Sequence, residues 1–123
     1  MDFYHGNRQS ALDNTDFRKV VYTAKNIQIV LMSVPPGTDV GEEVHERHDQ
    51  TFVFMAGEGK VVIGKQEVPV EAGDVVLVPL GVYHNVRSLG PGDLKLYSLC
   101  TPPHHQPGTV HPTLRSAVPD QEH

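Results

Sequence analysis

The chain has 123 residues, 38% of them apolar and 20% charged, and a net charge of -5; it is long enough to bury one core and too short for two. An acidic balance disfavours duplex nucleic acid and anionic membrane as partners, since both attract a basic face, and leaves a small molecule as the expected ligand. No apolar run approaches the roughly 18 residues of a membrane span, Met1-Asp2-Phe3-Tyr4-His5 lacks the basic-then-apolar layout of a signal peptide, and Cys100 as the single cysteine excludes an internal disulfide, so a cytoplasmic protein is expected.

Residues 1–18 are polar without a sustained period and are expected to form an arm or a short edge strand, at a barrel edge or dimer contact. From Lys19 the pattern is that of strands. K-V-V-Y-T-A and I-Q-I-V-L-M-S-V flank a bend near Asn26, and Pro35-Pro36-Gly37 breaks the run. Thr51 to Ala56 is a strand ending at Gly57-Glu58-Gly59. K-V-V-I-G-K-Q-E-V-P-V predicts a hairpin folded about Gly64-Lys65, with Pro69 marking an exposed edge or strand end. V-V-L-V-P after Asp74 predicts a buried strand, Leu80-Gly81 a turn, and Leu94 to Cys100 a final long strand that buries the lone thiol. The segment 104–123 is rich in Pro, Gly and His. Its composition predicts neither helix nor central strand, and it is expected to lie over the surface, cross to a partner subunit or fray. Many short strands with Gly, Pro and Asp at the turns predict an all-β jelly roll spanning 19–103.

Between Gly37 and Gly57 the spacing concentrates metal-ligand chemistry. Glu43 and His45 stand two apart, so on an extended strand they share a face, and Gln50, Phe52 and Phe54 repeat that period on the next strand. His84, after a tight Pro-Leu-Gly turn, supplies a further donor. Two histidines and two oxygen donors suit Zn, Mn, Fe, Co or Ni. Each residue also has a plainer reading. Glu43 lies in an acidic run with Glu42 and Glu46 that would ordinarily be a solvated face, and Gln50 either coordinates or closes a hydrogen-bond network. His48 has the wrong strand parity to join His45 unless the chain bends between them, and Asp49 is expected to cap that bend. Tyr83 is expected to line the interior with the two phenylalanines, and Tyr83 or Tyr97 could present a hydroxyl to a ligand. His104, His105 and His111 are read as solvated, or alternatively as part of a lid folded over the barrel mouth.

These motifs resemble those of the cupin superfamily. Gly37, five residues, Glu43, one residue, His45, four residues, Gln50, six residues and Gly57 fit the spacing of its first motif, and Gly73, Pro79, Gly81 and His84 fit its second, with Ser88 in place of the final asparagine. The resemblance implies a double-stranded β-helix, similar to small single-domain cupins of the mannose-6-phosphate-isomerase-like group, and it implies a homodimer. It also implies that Glu43, His45, Gln50 and His84 are the metal ligands. Here Glu43 stands where the family has a histidine and Gln50 where it has the glutamate. The ligand charge is therefore unchanged while the site becomes more oxygen-rich.

A divalent ion in such a site (Mn, Zn, Fe or Ni) would bind an oxygen-rich small molecule, sugar-like or a keto acid, and isomerase or lyase chemistry is the favoured reading. An Fe-dependent dioxygenase and a non-catalytic carbohydrate- or metabolite-binding module are the alternatives. A ligating Glu43 cannot also serve as general base, which leaves His48, Tyr83 or a tail histidine as the proton carrier.

Overall fold

The computed structural model describes residues 1–121, so Glu122 and His123 of the His-rich tail lie outside the described residues. Its strands are β1 (Arg18–Thr23), β2 (Gln28–Val34), β3 (Asp49–Ala56), β4 (Glu58–Ile63), β5 (Gln66–Glu71), β6 (Val75–Val78), β7 (His84–Ser88), β8 (Leu94–Thr101) and β9 (Val110–His111), with helices α1 (Arg8–Asp13) and α2 (Leu114–Gln121). They form a six-stranded sheet in the order β6-β3-β8-β2-β1-β9 facing a three-stranded sheet in the order β5-β4-β7. Every pairing is antiparallel. The fold is the all-β jelly roll expected from the spacing of strands and turns, in the double-stranded β-helix form that the resemblance implies.

Period-2 patterning explains how the sheets close on each other. In β3 the buried residues are Gln50, Phe52 and Phe54, and in β4 they are Gly59 and Val61. Of these, Phe52, Phe54 and Val61 meet Val30, Met32, Leu94, Leu96 and Val86 in one core drawn from both sheets. Gly57 joins β3 to β4 with φ +88, and a Cβ there would lie 2.5 Å from the Asp93 carbonyl oxygen. Only glycine fits that corner.

Several expectations are corrected. The N-terminal segment supplies a helix rather than an edge strand: Asn7 and Ser10 form a capping box that starts α1, and its Ala11 packs with Leu31 and Tyr97 in a second cluster. Residues 31 and 97 have the opposite parity to Val30, Met32, Leu96 and Ser98, so α1 covers the outer face of the large sheet. Tyr97 donates its hydroxyl to the Asn7 carbonyl at 3.0 Å, so it serves this outer face and does not present a hydroxyl to a ligand. Strand β6 is an edge, with Val75 62% and Leu77 57% exposed, and is not the buried strand its composition suggests. The short strand β7, unanticipated in the sequence, begins at His84 itself.

The tail is the largest departure. It adds the edge strand β9 to β1 and ends in helix α2, although its composition argued against a helix. The reason is local: after Pro112 the residues Thr113 to Val118 contain neither Pro nor Gly, and the Thr113 hydroxyl accepts from the Ser116 amide as a cap. Ala117 of this helix is fully buried in the main core.

Candidate metal centre

The crossover from β2 to β3 does not run free. Val40 donates its amide to the Val86 carbonyl, and Glu43 and His84 exchange backbone hydrogen bonds at 2.8 and 2.9 Å, so the segment lies along β7 as an additional bridge. This pairing sets Glu43 directly opposite His84. The turn before His84 is tied to the same segment, because the Gly81 amide donates to the His45 carbonyl and the Leu80 amide to Asp49 Oδ1 at 2.9 Å. Asp49 thus caps a turn, as its position suggested. The two glycine-bearing motifs hold each other in place through backbone bonds, and their side chains are aimed as a result.

Inside, donor atoms of Glu43, His45 and His84 lie within 4.8 Å of one another, an arrangement that could hold a metal ion. His45 Nε2 is 2.8 Å from Glu43 Oε2, and His84 Nε2 is 3.2 Å from Gln50 Oε1. Gln50 in turn donates through Nε2 to Ser98 Oγ at 2.9 Å. The His84 ring places Nδ1 3.0 Å from the Val82 carbonyl oxygen, which can only accept. That bond puts the proton of a neutral ring on Nδ1 and leaves a lone pair on Nε2. Two acceptors, His84 Nε2 and Gln50 Oε1, then face each other, and a cation between them resolves the opposition. A flipped Gln50 amide would satisfy the pair without one, and metal uptake separates the two arrangements. The donor set therefore fits the divalent ion that its chemistry suggests.

Burial would raise the Glu43 carboxyl, but the hydrogen bond from His45 and the charges of His45, Arg18 and His84 outweigh it and hold the group below the ordinary carboxylate range. Burial lowers His84, with the Val82 carbonyl partly opposing, and lowers His104 with help from His45. His48 falls to about 4 through burial and then the neighbouring His45 and His104. His105 falls to about 3 through burial and then Arg18. Neutral imidazoles are the form that binds metal.

His48 and His105 titrate near 6.5 in an unfolded chain, so between the folded and unfolded values the unfolded state binds more protons. Their contribution to stability is complete above about pH 6.5 and is lost as pH falls. In chelator-treated protein, the melting temperature is expected to drop by roughly 5 °C between pH 6.5 and 5, above the carboxylate range, and the slope should flatten in His105→Gln. A flat profile in the wild type over that window would contradict the neutral, buried assignment.

The cavity has a volume of about 130 Å³ and is lined by Arg18, Glu43, His45, Gln50, His84 and His104 among others. Of the residues singled out in the sequence, Glu43, His45, Gln50 and His84 are brought together. His48 is 4% exposed and its ring centroid lies 4.2 Å from that of His45. The chain bends at 46–47, the condition under which His48 could join His45, because residues 44–48 form no regular strand. Tyr83 does not reach the interior: it is 48% exposed and its hydroxyl donates to Glu42 Oε2 at 2.8 Å. Of the two phenylalanines, Phe52 lines the cavity while Phe54 is pure core.

Four further residues contribute to the site: Arg18, Ser98, His104 and His105. Arg18 shares strand parity with Val20, and Ser98 with Leu96 and Cys100, which is the signal that could have found both. His104 and His105 come from the tail, held there by the buried Gln28 side chain, which accepts from the His105 amide at 2.9 Å and donates to its carbonyl at 2.7 Å. They line the cavity as in the lid reading while staying partly exposed to solvent. Burial pushes the Cys100 thiol up to about 11, consistent with a packing role.

Comparison with known proteins agrees with the fold. Residues 30–100 match the family model described as a cupin domain. Protein YrkC of Bacillus subtilis is 40% identical over 118 residues; these are 91% of this chain and 63% of that protein, so the chain spans less than two thirds of its length. The oxalate-binding protein of Thermotoga maritima is 32% identical over 68 residues, 55% of this chain and 56% of the other. The crystal structure of BH2720 from Bacillus halodurans superposes with a TM-score of 0.94 at 34% identity, covering 97% of this chain and 95% of that one.

Proposed function

The chain belongs to the cupin family, and from that premise we propose that it holds a divalent metal ion through Glu43, His45, His84 and Gln50 and acts on a small oxygen-rich acid, of the keto-acid or related carboxylate class, by isomerase- or lyase-type proton transfer. The observation that carries this reading is the convergence of the Glu43, His45 and His84 donor atoms within 4.8 Å of one another, with Gln50 Oε1 3.2 Å from His84 Nε2. When bound, such an ion supplies Lewis acidity toward a carbonyl or carboxylate oxygen.

The chain's own residues do the rest. Arg18 is only 4% exposed and lines the cavity, with Nη1 3.5 Å from His111 Nδ1, so its guanidinium sets a positive charge in the cavity wall. This favours an acid over a neutral sugar. His84 is kept in one tautomer by Val82, and Gln50 is oriented by Ser98, so neither ring nor amide must reorganise on binding. With Glu43 occupied as a ligand, His104 is the group suited to carry a proton. It lines the cavity, and burial holds it neutral near pH 7, the state in which an imidazole accepts one. Walls from Val30, Met32 and Phe52 keep one side of the cavity dry.

A second reading, metal-dependent binding without turnover, is favoured by the oxalate-binding protein of Thermotoga maritima among the relatives. The test is calorimetric titration of metal-loaded protein with a dicarboxylate, a 2-keto acid and a neutral aldose. The acids are expected to bind and the aldose not, with Arg18→Gln weakening the acids by about 10-fold or more. Acid binding that survives removal of the metal unchanged would overturn the assignment. Turnover of the keto acid, followed by solvent deuterium incorporation, separates the enzyme from the binding module. Iron in the purified protein would instead bring dioxygenase chemistry forward.

A further inference from the structure

A second trio of donors sits beside the first. His45, His48 and His104 place one ring nitrogen each within 4.8 Å of one another. Their ring centroids are 4.2 Å apart for His45 and His48, 5.1 Å for His45 and His104, and 4.6 Å for His48 and His104. Three ring nitrogens grouped this closely could hold one ion, given small rotations of the rings. An independent observation points to a ligand. His48 is more than nine-tenths buried, yet its Nε2 has no hydrogen-bond partner among the described residues. A buried polar atom left in that state is costly and ordinarily marks an ion or water site.

The trio is also built to persist. Backbone amides of His104 and His105 both donate to the Gln28 side-chain oxygen, at 3.3 and 2.9 Å, and Gln28 is fully buried. His104 is therefore held against the barrel by a core residue, not by chance contact of a free tail. Its neighbour in the trio, His48, sits immediately before β3, between His45 and the Asp49 side chain that caps the Pro79-Leu80-Gly81 turn.

We propose that His45, His48 and His104 form a second, nitrogen-only cation position that takes zinc or a similar borderline ion, and that its filling couples the segment after β8 to metal at the barrel mouth. It shares His45 with the proposed metal centre, and while it is filled His104 is a ligand and not the proton carrier of the proposed reaction. The two positions differ in chemistry: carboxylate and amide oxygens beside two imidazoles suit manganese, whereas three imidazoles suit zinc, nickel or copper. Manganese and zinc therefore choose different sites on this chain.

The test uses full-length, metal-stripped protein titrated separately with Zn²⁺ and Mn²⁺. Affinity is read by competition with a chelator, and backbone order at 104–109 by hydrogen exchange. His48→Gln and His104→Gln are each expected to weaken Zn²⁺ binding by about 10-fold or more, to abolish the zinc-induced slowing of exchange at 104–109, and to leave Mn²⁺ binding within about two-fold. His104→Gln keeps the experiment decisive if His48→Gln, a change at a buried position, fails to fold. Zinc binding equal to wild type in His104→Gln, or exchange at 104–109 indifferent to zinc, would overturn the second position. His84→Gln separates the two readings: loss of Mn²⁺ with Zn²⁺ retained supports both, and Mn²⁺ binding unaffected by His84→Gln sinks the first site while the zinc results still decide the second.

Discussion

His84→Ala is expected to strip the oxygen-rich site of its ion. Elemental analysis of untagged protein, purified without chelator, should find near-stoichiometric Mn, Zn, Fe or Ni in the wild type. In the variant, manganese affinity should fall by on the order of 100-fold. The size follows from what the ring does. His84 is 3% exposed, its tautomer is fixed by the Val82 carbonyl, and it is the donor that β7 contributes to the Glu43-His45-His84 cluster. Its loss leaves Gln50, whose neutral amide is a weak ligand, facing an empty corner. Because the backbone of residue 84 exchanges two hydrogen bonds with Glu43, which alanine retains, the barrel should stay folded. The measurement thus reads the site and not the fold. No metal in the wild type even after reconstitution would overturn the metal centre.

Phe54→Ala is expected to be the most damaging single change to the fold, at about 3–5 kcal/mol. The ring is fully buried, lies 6.2 Å from Phe52 and packs between the two sheets. Truncation removes the transfer energy of an aromatic side chain and leaves a cavity that neighbours on two paired strands cannot collapse to fill. Phe3→Ala offers the contrast, since Phe3 is 71% exposed and its removal should change stability by no more than about 0.5 kcal/mol. Urea denaturation of both variants gives the comparison. A loss below about 1 kcal/mol for Phe54→Ala would mean that the core does not close as described.

Gln50, Phe52 and Phe54 also show how fold and site share one code. The alternation that sends Phe52 and Phe54 into the core sends Gln50 to the same interior one step earlier, where it meets His84. The glycines at 57 and 81 bend the chain where a side chain would be strained, at φ +88 and +80, and the second of these delivers His84 to the start of β7. Such features are local, and a sequence displays them. His48 reaches His45 because parity separates them only while the chain stays extended, and residues 44–48 do not. Tyr83 stays outside for the complementary reason: it belongs to the turn before β7, where no alternation directs it inward, and it pairs with Glu42 at the surface.

By itself the sequence determined the all-β barrel, the hairpin about Gly64-Lys65, and the inward aim of Gln50 on the strand it shares with Phe52 and Phe54, because period-2 burial and turn chemistry act over a few residues. Only the tertiary structure decided that the tail returns to the cavity. His104 reaches His45 because Gln28, remote in sequence from both, is buried with its amide turned toward the chain after β8. Likewise Arg18 enters the cavity wall because β1 lies between β2 and β9 in the large sheet. Contacts of this kind depend on which strands become neighbours, a property of the closed fold that no local period records.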